Sequence, residues 1–185
     1  MRLFVASSFE PQFSAVLKDV ENYARDNAGR DAVKWTDPDN FHLTYAFLGE
    51  LGPEAAASAR KGVEAALAGV ASFRISTGGF GAFPSSRRPG VLWLGIGEGA
   101  AELRALAAKL AEGLAAAGIM YEDRFEPHVT LGRVKRPLPE PFMRRVADFA
   151  ASRRAVSAVT SVELMESRLT PDGPVYAKVF SKELL

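Results

Sequence analysis

Apolar and polar positions along the chain follow two rhythms, one of period two and one of period 3.6, and switch between them repeatedly. The run at 3–9 is short, largely apolar and rich in strand formers, which predicts a buried strand. Glu10-Pro11 then opens a helix, since proline suits a first turn whose N–H would be unpaired anyway. Phe13, Val16, Leu17, Val20 and Tyr23 form one apolar stripe that lasts to about residue 26. Residues 33–36 and 41–48 predict strands joined by the turn Asp37-Pro38-Asp39-Asn40. An Ala-rich helix is expected over 54–68. Residues 73–83 read as extended but broken by Gly78, Gly79 and Gly81; residues 91–96 form the second arm of a hairpin across a basic turn at 85–90. Leu103, Leu106, Leu110 and Leu114 step by three, four and four, which predicts a helix over 101–117 ended by Gly118. A strand at 127–134, a helix at 140–152 and a terminal hairpin of 159–168 with 175–181 complete the chain.

The order β-α-β-β-α-β-β-α-β-α-β-β predicts an α+β protein in which amphipathic helices cover mostly antiparallel sheet. No linker, low-complexity tail or charge block divides the chain, so a single domain over residues 1–185 is expected. Composition narrows the function classes. Hydrophobic residues make up 48% of the chain and charged ones 24%, which excludes wholesale disorder. The net charge of +1 excludes a binder acting by gross positive charge and leaves room only for local basic patches. The absence of cysteine removes disulfides, thiolate metal sites, Fe–S clusters and cysteine nucleophiles together. No apolar run approaches the roughly 18–20 residues of a membrane span, and residues 1–5 are too short for a signal segment. A soluble, cytoplasmic protein is expected.

Two histidines are the entire imidazole complement. His42 lies in Phe41-His-Leu-Thr-Tyr-Ala-Phe-Leu-Gly49, and His128 in Pro127-His-Val-Thr-Leu-Gly132. Each is followed two places on by threonine, of which the chain has only six. Chance would give that double coincidence with a probability of roughly 0.001, before a discount for a motif noticed after the fact. On a strand, alternate side chains share a face, so His42 pairs with Thr44 while Phe41, Leu43, Tyr45 and Phe47 take the other side. The same rule groups His128 with Thr130, the hydroxyl standing about 7 Å along from the imidazole. If the two strands lie side by side, two imidazoles and two hydroxyls converge on one cleft.

Such a set suits one kind of chemistry. Two imidazoles of ordinary pKa near 6.5 can act as base and acid in one turnover at neutral pH. Hydroxyls donate hydrogen bonds without adding charge, which fits the non-bridging oxygens of a phosphodiester. In-line attack at phosphorus needs a base on one side, an acid at the leaving oxygen and donors around the equator. Metal-independent phosphodiester cleavage is the expectation. A zinc site would lack its usual three or four ligands, because no carboxylates stand at ligand spacing from the histidines.

With these motifs the chain resembles the 2H phosphoesterases, and within them the bacterial and archaeal RNA 2′,3′-cyclic phosphodiesterases, also called 2′-5′ RNA ligases. The resemblance spans nearly the whole length. Besides the two His-x-Thr segments it takes in Arg2-Leu-Phe-Val-Ala6, Phe80-Gly-Ala-Phe-Pro84, Val91-Leu-Trp-Leu-Gly-Ile96, Phe125 through Arg133, and Ser167 through Tyr176. It implies a bilobal fold, two pseudo-symmetric lobes whose mostly antiparallel sheets, with outer helices, enclose a central cleft. It implies hydrolysis of an RNA 2′,3′-cyclic phosphate to a 2′-phosphomonoester with no metal or other cofactor. His42 would be the proton donor to the leaving oxygen and His128 the proton acceptor, with Thr44 and Thr130 holding the phosphate. RNA with 2′,3′-cyclic phosphate ends, such as tRNA fragments, would be the partner, no membrane would be involved, and a monomer is expected. Tyr45 and Gly132 stand where the family often has Leu and Ala, and Gly90 where it often has Arg. Two other readings compete: a non-catalytic RNA-end binding module, and a reversible 2′-5′ ligase acting on tRNA halves.

The remaining candidates are weaker. Arg133, five places after His128, has the parity that turns it away from the cleft, so a solvated surface arginine is expected unless a bulge at Gly132 redirects it. Arg87-Arg88 and Lys135-Arg136 could contact an RNA backbone, although such pairs are usually just solvated surface. Tyr45, Phe83 and Trp93 could stack on a base, but core packing is the default for aromatics in strand patterns.

Overall fold

The computed structural model describes residues 1–185. Two antiparallel sheets form its frame. The first runs in the order β3 (Leu43–Glu50), β1 (Arg2–Ser7), β8 (Ser161–Thr170), β9 (Gly173–Glu183). The second runs β2 (Val33–Trp35), β6 (His128–Val134), β5 (Pro89–Ile96), β4 (Phe73–Pro84), β7 (Val156–Val159). Each sheet takes strands from both ends of the chain, so neither half of the sequence builds a sheet alone.

Four helices cover the outer faces. α1 (Pro11–Asn27) starts with proline in its first turn and buries Phe13, Leu17, Val20 and Ala24, the 3.6-residue stripe seen in the sequence. It packs against α4 (Phe142–Ala151), which lies on β4. α2 (Pro53–Ala66) and α3 (Ala100–Ala116) pack together, and α3 lies on β3. Their approach is close: a Cβ on Gly62 would stand 2.7 Å from the Gly113 carbonyl oxygen, so only glycine fits. Leu103, Leu106, Leu110 and Leu114 are all buried here.

The main core is one continuous cluster between helices and sheets. Phe4, Ala6 and Met165 form a second, small cluster with Tyr176 against it. These residues lie on the first sheet's other face, since Phe4 and Ala6 alternate with the core residues Leu3 and Val5. That face carries Thr44, which pairs with Ala6.

One boundary differs from the sequence expectation. Residues 156–159 form β7, which pairs with β4 in the second sheet, and the strand expected over 159–168 starts at Ser161 in the first sheet. The chain thus changes sheets at Thr160. The run Val-Ser-Ala-Val-Thr-Ser-Val has strand character throughout, so periodicity gives no sign of the break. No helix of the structure is long and apolar enough to cross a membrane.

Candidate active site

His42 and His128 are presented in the same way. His42 immediately precedes β3 and His128 opens β6, each with a buried aliphatic residue next and a half-buried threonine after it. Over six residues the two motifs, His42 to Phe47 and His128 to Arg133, show the same alternation of half-buried, buried and exposed positions. Each imidazole binds the backbone carbonyl two residues before it: Nδ1 of His42 to Asn40 at 2.9 Å, and Nδ1 of His128 to Glu126 at 2.6 Å. A carbonyl oxygen only accepts, so Nδ1 carries the proton in both rings and Nε2 is left free to take or give one.

Aromatic neighbours fix both rings. Phe4 and Tyr176 meet His42 edge to face at 6.3 and 5.6 Å between centroids. Phe83 and Trp93 do the same for His128 at 5.0 and 6.4 Å. Trp93 lies over Gly81, where a Cβ would come 2.4 Å from its ring, so this packing requires glycine. Tyr45 packs in the core, its hydroxyl 2.9 Å from Ser7 Oγ. Of the three aromatics weighed for stacking, Tyr45 is sealed inside as core packing predicts, while Phe83 and Trp93 pack on an imidazole.

The motif strands belong to different sheets, so they do not pair as neighbouring strands of one sheet. Several contacts nevertheless bring them together. β3 touches β6 directly. Tyr45, three places after His42, stacks on Phe125, three places before His128, at 5.6 Å. The Thr36 N–H donates to the Leu131 carbonyl at 2.9 Å, which ties the chain to β6 six residues before His42. Between them the turn Pro38–Asn40 shortens the path, and Asn40 donates to the Pro174 carbonyl near Tyr176.

Both motif strands carry a β-bulge at the same place, which sequence parity could not show. Opposite β1, Thr44 pairs with Ala6 and Ala46 with Val5, leaving Tyr45 as the extra residue. Opposite β5, Thr130 pairs with Trp93 and Gly132 with Leu92, leaving Leu131. A bulge inverts the alternation beyond it. Phe47 consequently pairs with Phe4 and returns to the face of Thr44, 71% exposed, instead of joining Leu43 in the core. Arg133 pairs with Val91 and returns to the face of Thr130. The bulge falls one residue earlier than the Gly132 position considered from sequence, and the expectation of an arginine turned away from the cleft is corrected.

The charge of Arg133 acts on a residue of the other sheet. Burial raises the Tyr176 phenol above its ordinary value, while the positive charges of Arg133 and Arg2 pull it back. Tyr176 packs on His42, so the charge of Arg133, on the His128 strand, acts on a neighbour of the His42 ring. Arg133 has no carboxylate partner within 4 Å. Burial lowers the His128 pKa below the usual imidazole value, and the Glu126 carbonyl and carboxylate only partly restore it. A neutral His128 with a free Nε2 lone pair is equipped to accept a proton. Nowhere do three His, Asp or Glu side chains gather in a group able to hold a metal ion.

Two imidazoles, each on the same strand face as a threonine, together with the unpaired Arg133 on the face of Thr130, make up the candidate site. The chain belongs to the 2′-5′ RNA ligase superfamily, whose sequence profile matches residues 9–170. It is 37% identical over 182 residues to an RNA 2′,3′-cyclic phosphodiesterase of Archaeoglobus fulgidus, covering 95% of this chain and 96% of that protein. A protein of the same name from Thermus thermophilus is 33% identical over 189 residues, covering 95% of this chain and 86% of its own. Among solved structures, TT0787 of Thermus thermophilus superposes with a TM-score of 0.79 at 28% identity, covering 100% of this chain and 98% of that one. Escherichia coli LigT complexed with 3′-AMP gives 0.71 at 26% identity, covering 99% and 97%.

Proposed function

We propose that this chain hydrolyses the 2′,3′-cyclic phosphate at the end of an RNA strand to a 2′-phosphomonoester, with His128 as base and His42 as acid and no metal. Its similarity to relatives named RNA 2′,3′-cyclic phosphodiesterases supports the reaction. The observation that carries the mechanism is the shared presentation of the two imidazoles, each pinned through Nδ1 to a backbone carbonyl and followed two residues on by a half-buried threonine. In the reaction, Nε2 of His128 takes a proton from water as its oxygen bonds to phosphorus. The P–O3′ bond breaks on the opposite side, and His42 gives its Nε2 proton to that oxygen. Thr44 and Thr130 donate to the non-bridging oxygens, and Arg133 offsets the charge that builds on them. Phe47 offers a flat, exposed ring on which the terminal base can stack.

The pH–rate profile in EDTA tests this reading. As pH falls, His128 is protonated and can no longer accept a proton, so the rate drops; a reaction that also needs a general acid loses rate again as pH rises. A bell is expected, its acid limb below the ordinary imidazole value of about 6.5 because burial disfavours the charged His128. A rate that climbs steadily with pH, or that vanishes in EDTA, would contradict the two-imidazole mechanism.

A further inference from the structure

A cavity of about 550 Å³ opens at the far end of the second sheet, between the β4–β5 hairpin tip and the segment that joins β6 to α4. It does not include the histidines, yet it abuts their cleft. Phe83, Val91 and Arg133 pair as one rung across β4, β5 and β6, and Phe83 packs on His128. Just outward of that rung, Pro89 at the start of β5, Val134 at the end of β6 and Lys135 immediately after it already line the cavity.

Its charge is one-sided. Arg87, Lys135, Arg136 and Arg144 line it, against the single carboxylate of Glu140. All four cations are exposed, and none has an ion-pair partner within 4 Å. In a chain of net charge +1, four unpaired cations around one cavity repel one another unless an anion lies between them.

We infer that this cavity is a second anion subsite, which holds backbone phosphodiesters of the substrate strand upstream of its cyclised end. The inference rests on the RNA reading above. The distances fit a strand and not a mononucleotide: Lys135 lies five residues beyond Thr130, roughly 13–16 Å along β6 at about 3.3 Å per residue with one residue taken up in the bulge. A cyclic mononucleotide held by Thr44 and Thr130 ends well short of it. Arg133 lies between the two sites, which makes a continuous positive track along β6. Contacts to backbone phosphates add affinity and register without reading sequence, so the subsite selects for length.

The experiment compares the wild-type protein with Arg87→Glu and with the double variant Lys135→Glu/Arg136→Glu. Turnover is measured on a 2′,3′-cyclic mononucleotide and on a ten-nucleotide RNA ending in a 2′,3′-cyclic phosphate. Binding of the same RNA ending in a 2′-phosphate is titrated in rising salt. Charge reversal is expected to raise KM and Kd for the oligonucleotide by roughly tenfold at low salt, leaving the mononucleotide unchanged. The double variant should also flatten the slope of log Kd against log salt by about 1.4, at roughly 0.7 per lost phosphate contact on single strands. Unchanged oligonucleotide affinity and salt slope would overturn the subsite, as would an equal loss on the mononucleotide, which would mean a field acting on the reacting phosphate. Failure of the wild-type protein to turn over either substrate would instead remove the catalytic reading, and the binding titration would still report on the cavity.

Discussion

Replacing His128 with alanine is expected to lower kcat/KM on a 2′,3′-cyclic phosphate by about 10²–10⁴-fold, and His42→Ala by a comparable factor. At 1.36 kcal/mol per decade this amounts to roughly 3–5.5 kcal/mol of lost transition-state stabilisation. Water is a poor nucleophile until a proton leaves it, and the 3′ oxygen a poor leaving group until a proton reaches it. Each imidazole serves one of those needs and the chain has no third. Both rings are only half-buried at the cleft, outside the main core, so removing either leaves the packing largely intact. The double variant should be little worse than either single one, because the two groups act as a unit. Single variants that retain near wild-type rates, with unchanged circular dichroism and melting temperature, would show that the imidazoles are structural.

Arg133→Ala should cost about 10²–10³-fold in kcat, the range seen when one preorganised donor to a developing oxyanion is removed. Most of the loss should fall on kcat and not on KM, because negative charge on the equatorial oxygens grows towards the transition state. Arg133→Lys should restore only part of the rate, since an ammonium supplies the charge without the planar fork. The rival reading, a solvated surface arginine, predicts a change of less than about twofold. Steady-state kinetics on a cyclic mononucleotide separates the two without any contribution from a longer RNA.

The contrast between His128 and Arg133 shows what the sequence made legible. The paired His-x-Thr words stood out because a strand has period two, and the parity holds from His42 to Thr44 and from His128 to Thr130. Beyond the threonines parity misleads. Tyr45 and Leu131 are ordinary strand formers, and nothing in their identity marks them as the extra residues of bulges. The repeated spacing did hold a clue: Phe47 and Arg133 each stand five places after a histidine, so one shared irregularity would return both to the motif face.

Other parts of the site come from long-range packing that no local pattern encodes. Tyr176 and Phe4 approach His42 from β9 and β1, across a sheet order that interleaves the two ends of the chain. Trp93 reads as core from sequence, and its place beside His128 depends on Gly81 in the neighbouring strand. The helices, by contrast, were readable almost to their ends. The stripe of α1 and the leucine ladder of α3 depend on neighbours three and four residues apart. The crossing at Thr160 was hidden because residues on both sides of it suit a strand.

The in-line arrangement of base, phosphorus and acid is most directly tested by the identity of the product. An RNA oligonucleotide ending in a 2′,3′-cyclic phosphate, incubated with the protein in EDTA, should give one new end whose phosphorus resonance and resistance to 3′-specific nucleotidase mark a 2′-phosphomonoester. A 3′-phosphate product would place the departing oxygen on the wrong side of phosphorus for His42, and an unchanged cyclic end would leave the paired imidazoles without a reaction.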